Sequence, residues 1–233
     1  INDFISGFFY LLKPQGVATF EFPHLYRLIT EIQFDTIYHE HFSYLSLSTV
    51  KRIFEYNGLA IFDVEELATH GGSLRVFAQR QDGPKKPISD RVQKLLALEN
   101  KIGMSDASFY ASFQKRIIDV KQQFLKFLLE TRARGEKIVG YGAAAKGNTL
   151  LNFTGVRSDL LSYVIDRNPT KQGKYLPGSR IPILSETQLS IDKPTWILIL
   201  PWNLKEEIMT QLAYVREWGA KFVTAIPILK TFN

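Results

Sequence analysis

The chain has no cysteine, which excludes disulfides and thiolate-held zinc within its 233 residues and agrees with a cytoplasmic setting. No apolar run approaches the roughly 20 residues needed to cross a bilayer, so no membrane partner is expected. There is no repeat of fixed period and no low-complexity tract. Basic residues outnumber acidic ones for a net charge of +6, yet they form no concentrated stripe, and the densest pair, Lys85-Lys86, lies in a Gly/Pro loop. That pattern argues against nucleic acid as a partner and fits phosphate on a small ligand better. The opening residues, from Ile1 to Ile5, carry no basic region, no signal-like core and no initiator methionine, so the expectation is a cut into a longer protein.

What is present is ordinary for a globular protein: 45% hydrophobic and 22% charged residues, in a length that suits one large domain or two small ones. Apolar spacing and turn residues predict helices over 4–12 and 24–32, with a strand over 17–22 between them. Ser48 reads as the cap of a helix running to Tyr56, and 59–64 and 73–79 read as strands joined through His70-Gly71-Gly72. The run Asp82-Gly-Pro-Lys-Lys-Pro87 is the clearest linker. Two helices, 89–104 and 108–134, follow it. From Glu136 strand and helix alternate: strands over 137–139, 161–166, 195–200 and 221–226, helices from 144, from 185 and over 204–218. Such alternation predicts a parallel sheet with right-handed crossovers.

Two stretches carry chemistry. In the first, Gly140-Tyr-Gly-Ala-Ala-Ala-Lys-Gly-Asn148 follows a short apolar strand and opens a helix. A glycine turn there lets backbone approach a phosphate, with helix N–H groups and Lys146 facing it. Asp166 ends the next strand, where a dinucleotide-binding unit places an acid for a ribose hydroxyl. Gly140, Tyr141, Gly142, Lys146, Asn148, Asp166, Trp202 and Asn203 would then cluster beyond the carboxyl ends of the strands. A tight strand-to-helix turn with no ligand explains the same glycines.

The second stretch is Tyr38-His-Glu-His41. Extended, it would put His39 and His41 on one face, as in metal sites, although no third ligand has a convincing spacing. As a helical turn it would pair Tyr38 with His41, an acid/base arrangement in which a carboxylate such as Glu40 can back the imidazole. A hydrogen-bonded loop that only props packing is the third possibility. Of the two lone histidines, His24 fits a packing role, while His70, with Gly71, lies at a turn that could line a cleft.

Together these stretches resemble one family. Leu12 to Pro23 resembles a helix leading into the fifth strand of a class I S-adenosylmethionine-dependent methyltransferase domain. The segments 38–46, 63–75, 140–148 and 166–178, in that order, resemble the sugar C-methyltransferases, which methylate a carbon of a nucleotide-linked keto-deoxysugar. The resemblance implies an α/β protein in three parts: the end of a methyltransferase domain (1–81), a linker with connecting helices (82–134), and a Rossmann-like nucleotide-binding domain (135–233). It also implies His41 as the base that forms an enolate, with Tyr38 and Glu40 accompanying it, and a nucleotide sugar as small-molecule substrate. The family's cysteine-rich zinc domain and methyl-donor glycine loop have no counterpart in this sequence. The expectation is therefore a fragment that neither holds S-adenosylmethionine well nor turns over alone. A nicotinamide-dependent oxidoreductase using Gly140–Ala145 with Asp166, and a non-enzymatic nucleotide-binding module, are the alternatives.

Overall fold

The computed structural model describes all residues, 1–233. The chain divides into two compact units: Ile1–Glu31 with Phe42–Phe113, and Ile32–His41 with Gln114–Asn233. The ten residues from Ile32 to His41 therefore leave the unit that surrounds them in sequence and join the second.

The first unit runs α1 (Asn2–Leu11), β1 (Val17–Pro23), α2 (Leu25–Thr30), α3 (Leu47–Tyr56), β2 (Leu59–Leu67), β3 (Ser73–Arg80), α4 (Asp90–Lys101) and α5 (Ala107–Ala111). Its sheet is antiparallel in the order β1-β3-β2, with a register shift between Ile61 and Asp63. Alternation places Leu74, Val76 and Ala78 of the central strand inward, all fully buried. Leu47, Val50 and Phe54 recur at helical spacing on α3 and complete that core with Val92 and Leu95 of α4. The cap of α3 is Ser46, not Ser48. The Ser46 hydroxyl accepts from the Thr49 amide, so the helix starts two residues earlier than its sequence indicates.

The second unit runs α6 (Phe113–Ala133), β4 (Ile138–Tyr141), α7 (Ala145–Thr154), β5 (Val164–Ile165), β6 (Ile183–Leu184), α8 (Thr187–Asp192), β7 (Trp196–Ile199), α9 (Lys205–Gln211), β8 (Lys221–Thr224) and β9 (Lys230–Phe232). The boundary residue Phe113 is the first of α6, and the expected helix over 108–134 is two helices, α5 and α6, separated at Ser112. The sheet order is β6-β5-β4-β7-β8-β9, parallel throughout except for β9, which runs against β8. From β4 the chain winds outward first through β5 and β6, then restarts on the other side at β7. The switch point thus lies between β4 and β7, where doubly wound sheets place ligands. Val139, Ile165, Ile197, Ile199 and Phe222 are buried beneath it.

Several boundaries differ from the sequence expectation. Gly140 belongs to β4 itself, because a side chain there would meet Val164 Cγ2 at 2.8 Å and only glycine lets the neighbouring strand close in. The strand expected over 161–166 is regular only at Val164–Ile165, and the helix expected over 204–218 is α9 flanked by 3₁₀ turns at Trp202–Leu204 and Ala213–Trp218. The edge strands β6 and β9, two and three residues long, carry no sequence period that would announce them.

Candidate active site

Tyr38 to His41 is neither extended nor helical. The His41 amide donates to the Tyr38 carbonyl at 2.9 Å, which closes a tight turn. That turn brings the Tyr38 and His41 rings to a centroid separation of 4.2 Å with an interplanar angle of 35°. The outcome matches the pairing of Tyr38 with His41, and not the extended geometry that would align His39 with His41. His39 and Glu40, at the tip, are exposed, while Tyr38 and His41 are half-buried.

The atom that meets His41 Nδ1 is a backbone one, the carbonyl oxygen of Thr36 at 2.8 Å. A carbonyl can only accept, so Nδ1 carries the proton and the neutral ring keeps its basic lone pair on Nε2. Thr36 sits in a 3₁₀ turn, Phe34–Thr36, which is buried throughout and packs against α7, with the Phe34 ring 5.1 Å from that of Phe153.

The middle residue of that turn, Asp35, is fully buried. Trp202 Nε1 donates to its Oδ2 at 2.7 Å, while Oδ1 has no hydrogen-bond partner. Burial drives the carboxyl pKa up to about 6, against the opposing pull of the Trp202 hydrogen bond and the Lys146 charge. Lys146, 8% exposed in the first turn of α7, is pushed downward by the same desolvation, with the Asp35 charge partly restoring it. Its ammonium donates to Asn203 Oδ1 at 2.8 Å and stands 4.7 Å from the centre of the Trp202 ring. No side chain caps α7, whose N-cap is Ala144, so the positive end of the helix falls beside this lysine.

Lys146, Trp202 and Asn203 are therefore brought together, with Asp35 as a fourth member that sequence reasoning missed. The remaining expected residues lie elsewhere. Asn148 turns to Asn152 on the next turn of α7. Tyr141 is in the core, its hydroxyl within 3.2 Å of Glu186 and accepting from Gln211, and burial raises its pKa strongly. Gly142 has a φ of +88°, and the space a side chain would take is filled by the Pro201 ring at 2.6 Å. Asp166 accepts from the amides of Ala143 and Asn168, each at 2.8 Å, and from the Lys171 ammonium at 3.2 Å. His70 and Gly71 belong to the first unit, in the β2–β3 connection, with His70 exposed and at a φ of +56°.

A family model described as the C-methyltransferase C-terminal domain matches residues 68–227. The chain belongs to the C-methyltransferase family. It is 37% identical over 227 residues to the C-methyltransferase NovU of Streptomyces niveus, across 97% of this chain. It spans about half (54%) of the length of that relative. The family match includes Lys146, Asp166, Trp202 and Asn203, whereas the Tyr38–His41 turn lies within the longer alignment alone.

The residues present do not fit a methyl-donor site. The first unit offers only an antiparallel sheet, and the glycine turn after β4 is closed by Pro201 and bound to Asp166. No group of three or more His, Asp or Glu side chains is placed to hold a metal ion.

Proposed function

We propose that this chain carries the substrate side of an S-adenosylmethionine-dependent C-methyltransferase acting on a nucleotide-linked keto sugar. The observation that carries the reading is the His41 imidazole, whose Nδ1 is committed to the Thr36 carbonyl. With Nδ1 donating, Nε2 is the ring nitrogen that would take a proton from the carbon beside a ketone, and Tyr38, tilted against the same ring, orients the base or stabilises the enolate oxygen. Lys146, with Asn203 and Trp202 around it, is the group that meets the anionic nucleotide part of the substrate.

The dinucleotide-dependent alternative draws support from the sheet order alone. Its ribose-binding acid would be Asp166, whose carboxylate already holds two amides and Lys171.

In a form of the enzyme that turns over, His41→Ala should lower kcat by ~10²–10⁴-fold while nucleotide-sugar affinity changes by only about a few-fold. Wild-type turnover in that variant would remove His41 as the base. Lys146→Ala should weaken binding of a nucleoside diphosphate by calorimetry, and unchanged affinity would leave Lys146 a structural residue.

A further inference from the structure

The Tyr38–His41 turn does not stand on its own residues. Asp35 and Thr36 are consecutive in one buried 3₁₀ turn, Thr36 bonded locally to His41 and Asp35 to a residue far along the chain. Thr36 gives its carbonyl to His41 Nδ1. Asp35 takes the indole N–H of Trp202, 167 residues away, in the connection that follows β7. The face of that indole meets the Lys146 ammonium, and Asn203, the next residue, takes that ammonium's hydrogen bond. The Asp35–Trp202 hydrogen bond thus joins the imidazole's support to the lysine at the start of α7, beside the packing of Phe34 on Phe153 of that helix, and both lie in the same compact unit.

We infer that Asp35 is a positioning residue: by accepting from Trp202 it anchors the turn that fixes the His41 tautomer and sets that ring relative to Lys146. The inference rests on the reading of His41 as the base. The carboxylate is fully buried with Oδ1 unpartnered, a costly choice if a buried acceptor for an indole were all that was needed. Thr36 cannot replace it, since its carbonyl faces His41 and its hydroxyl donates to the Gln33 carbonyl at 2.7 Å. When the acceptor is lost, half-buried Trp202 can turn its N–H to water. The Phe34–Thr36 turn then keeps only its packing on α7 and loses its hydrogen-bonded anchor, and with it the His41 ring loses its single tautomer.

The test compares Asp35→Leu, which removes the acceptor and adds bulk, with the isosteric Asp35→Asn, which keeps an acceptor oxygen, in an active form of the enzyme labelled with ¹⁵N at histidine. The wild-type His41 signals should show protonated Nδ1 and unprotonated Nε2. Asp35→Leu should give mixed tautomers at His41, with kcat lowered by ~10–100-fold and KM for the nucleotide sugar within about 3-fold. Asp35→Asn should recover most of both. Trp202→Phe, approached from the other partner, should reproduce the tautomer mixing. A wild-type tautomer pattern in Asp35→Leu, or a loss in Asp35→Asn as deep as in Asp35→Leu, overturns the inference. The nitrogen spectra decide it even where no methyl transfer is detected, so failure of the catalytic reading and failure of the anchor give different results.

Discussion

The carboxylate of Asp166 is 2.8 Å from the backbone nitrogen of Ala143, and that bond fastens the end of one strand to the turn that leads into α7. A second oxygen takes the Asn168 amide, and Lys171 bridges Asp166 Oδ2 to the Ala143 carbonyl at 2.9 Å. The residue that sequence spacing nominates for a ribose hydroxyl is thus spent on the loop geometry itself. Asp166→Ala should strand two amides and a lysine and cost about 2–3 kcal/mol in a urea titration. Asp166→Asn, which keeps an acceptor, should lose about half of that. Stability unchanged in Asp166→Ala would mean that water replaces all three partners.

Gly147 supports a prediction that runs against helix propensity. It lies in the first half of α7, where alanine would ordinarily stabilise by about 1 kcal/mol. Here a Cβ would meet Leu200 Cβ at 2.7 Å, just after β7, and backbone-anchored atoms at that distance cannot yield cheaply. Gly147→Ala should therefore destabilise by about 1–3 kcal/mol by overpacking. Gly155→Ala, at the C-terminal cap of the same helix with open space around it, should show only the strain of its φ of +79°. A stabilised Gly147→Ala protein would show that α7 can move away from Leu200.

These residues also show what could be read from the sequence and what could not. The parallel sheet was legible because Ile138-Val139, Ile197-Leu198-Ile199 and Phe222-Val223 are apolar runs set between helices. The strand order, and with it the switch point between β4 and β7, was not legible, because alternation alone does not fix which strands lie side by side. The pairing of Tyr38 with His41 was legible as one of three geometries, and a backbone turn selects it. Its support was not, because the partner of His41 is the carbonyl of Thr36, and a carbonyl leaves no mark in sequence. Asp35 gave no sign either. Its role depends on an indole 167 residues away. Nor could periodicity reveal that Ile32–His41 packs with the second unit and not with its sequence neighbours.

In the first unit the corresponding buried acid is Glu99, 2% exposed on α4. Its two oxygens accept from the Leu47 and Ser48 amides at 2.7 and 2.8 Å, capping α3 from another helix, and His24 Nε2 lies 3.5 Å away. Burial pushes its pKa up, but His24 and the helix amides outweigh that and hold it below 4.5. A depressed folded pKa gives stability that is complete above the unfolded value, near 4.5, and is lost as pH falls through the lower folded one. Glu99→Gln should flatten that acid limb for this unit, and Glu99→Ala should cost about 3 kcal/mol near neutral pH by leaving the buried Leu47 and Ser48 amides without an acceptor. Thermal unfolding followed from pH 3 to pH 7 measures both, and an unchanged acid limb in Glu99→Gln would assign it to other carboxylates.

Asp35 predicts the opposite pH dependence. Its carboxyl is raised by burial from an ordinary value of 3.8 to about 6, and Lys146, the charged group facing it from α7, is already counted there as an opposing influence. Between those values the folded protein holds a proton that the unfolded chain has released, so stability falls as pH rises across that window and the loss is complete above it. At 1.36 kcal/mol per pH unit the shift amounts to about 3 kcal/mol. Asn at this position resembles the protonated carboxyl at every pH and escapes the loss. The stability of Asp35→Asn relative to wild type should therefore improve by about 3 kcal/mol between pH 4 and pH 7.5, whatever its offset at pH 4. Denaturant titrations at four pH values across that span give the slope directly. A flat difference would mean that Asp35 titrates normally, and with it would go the cost that makes an acid at this position worth explaining.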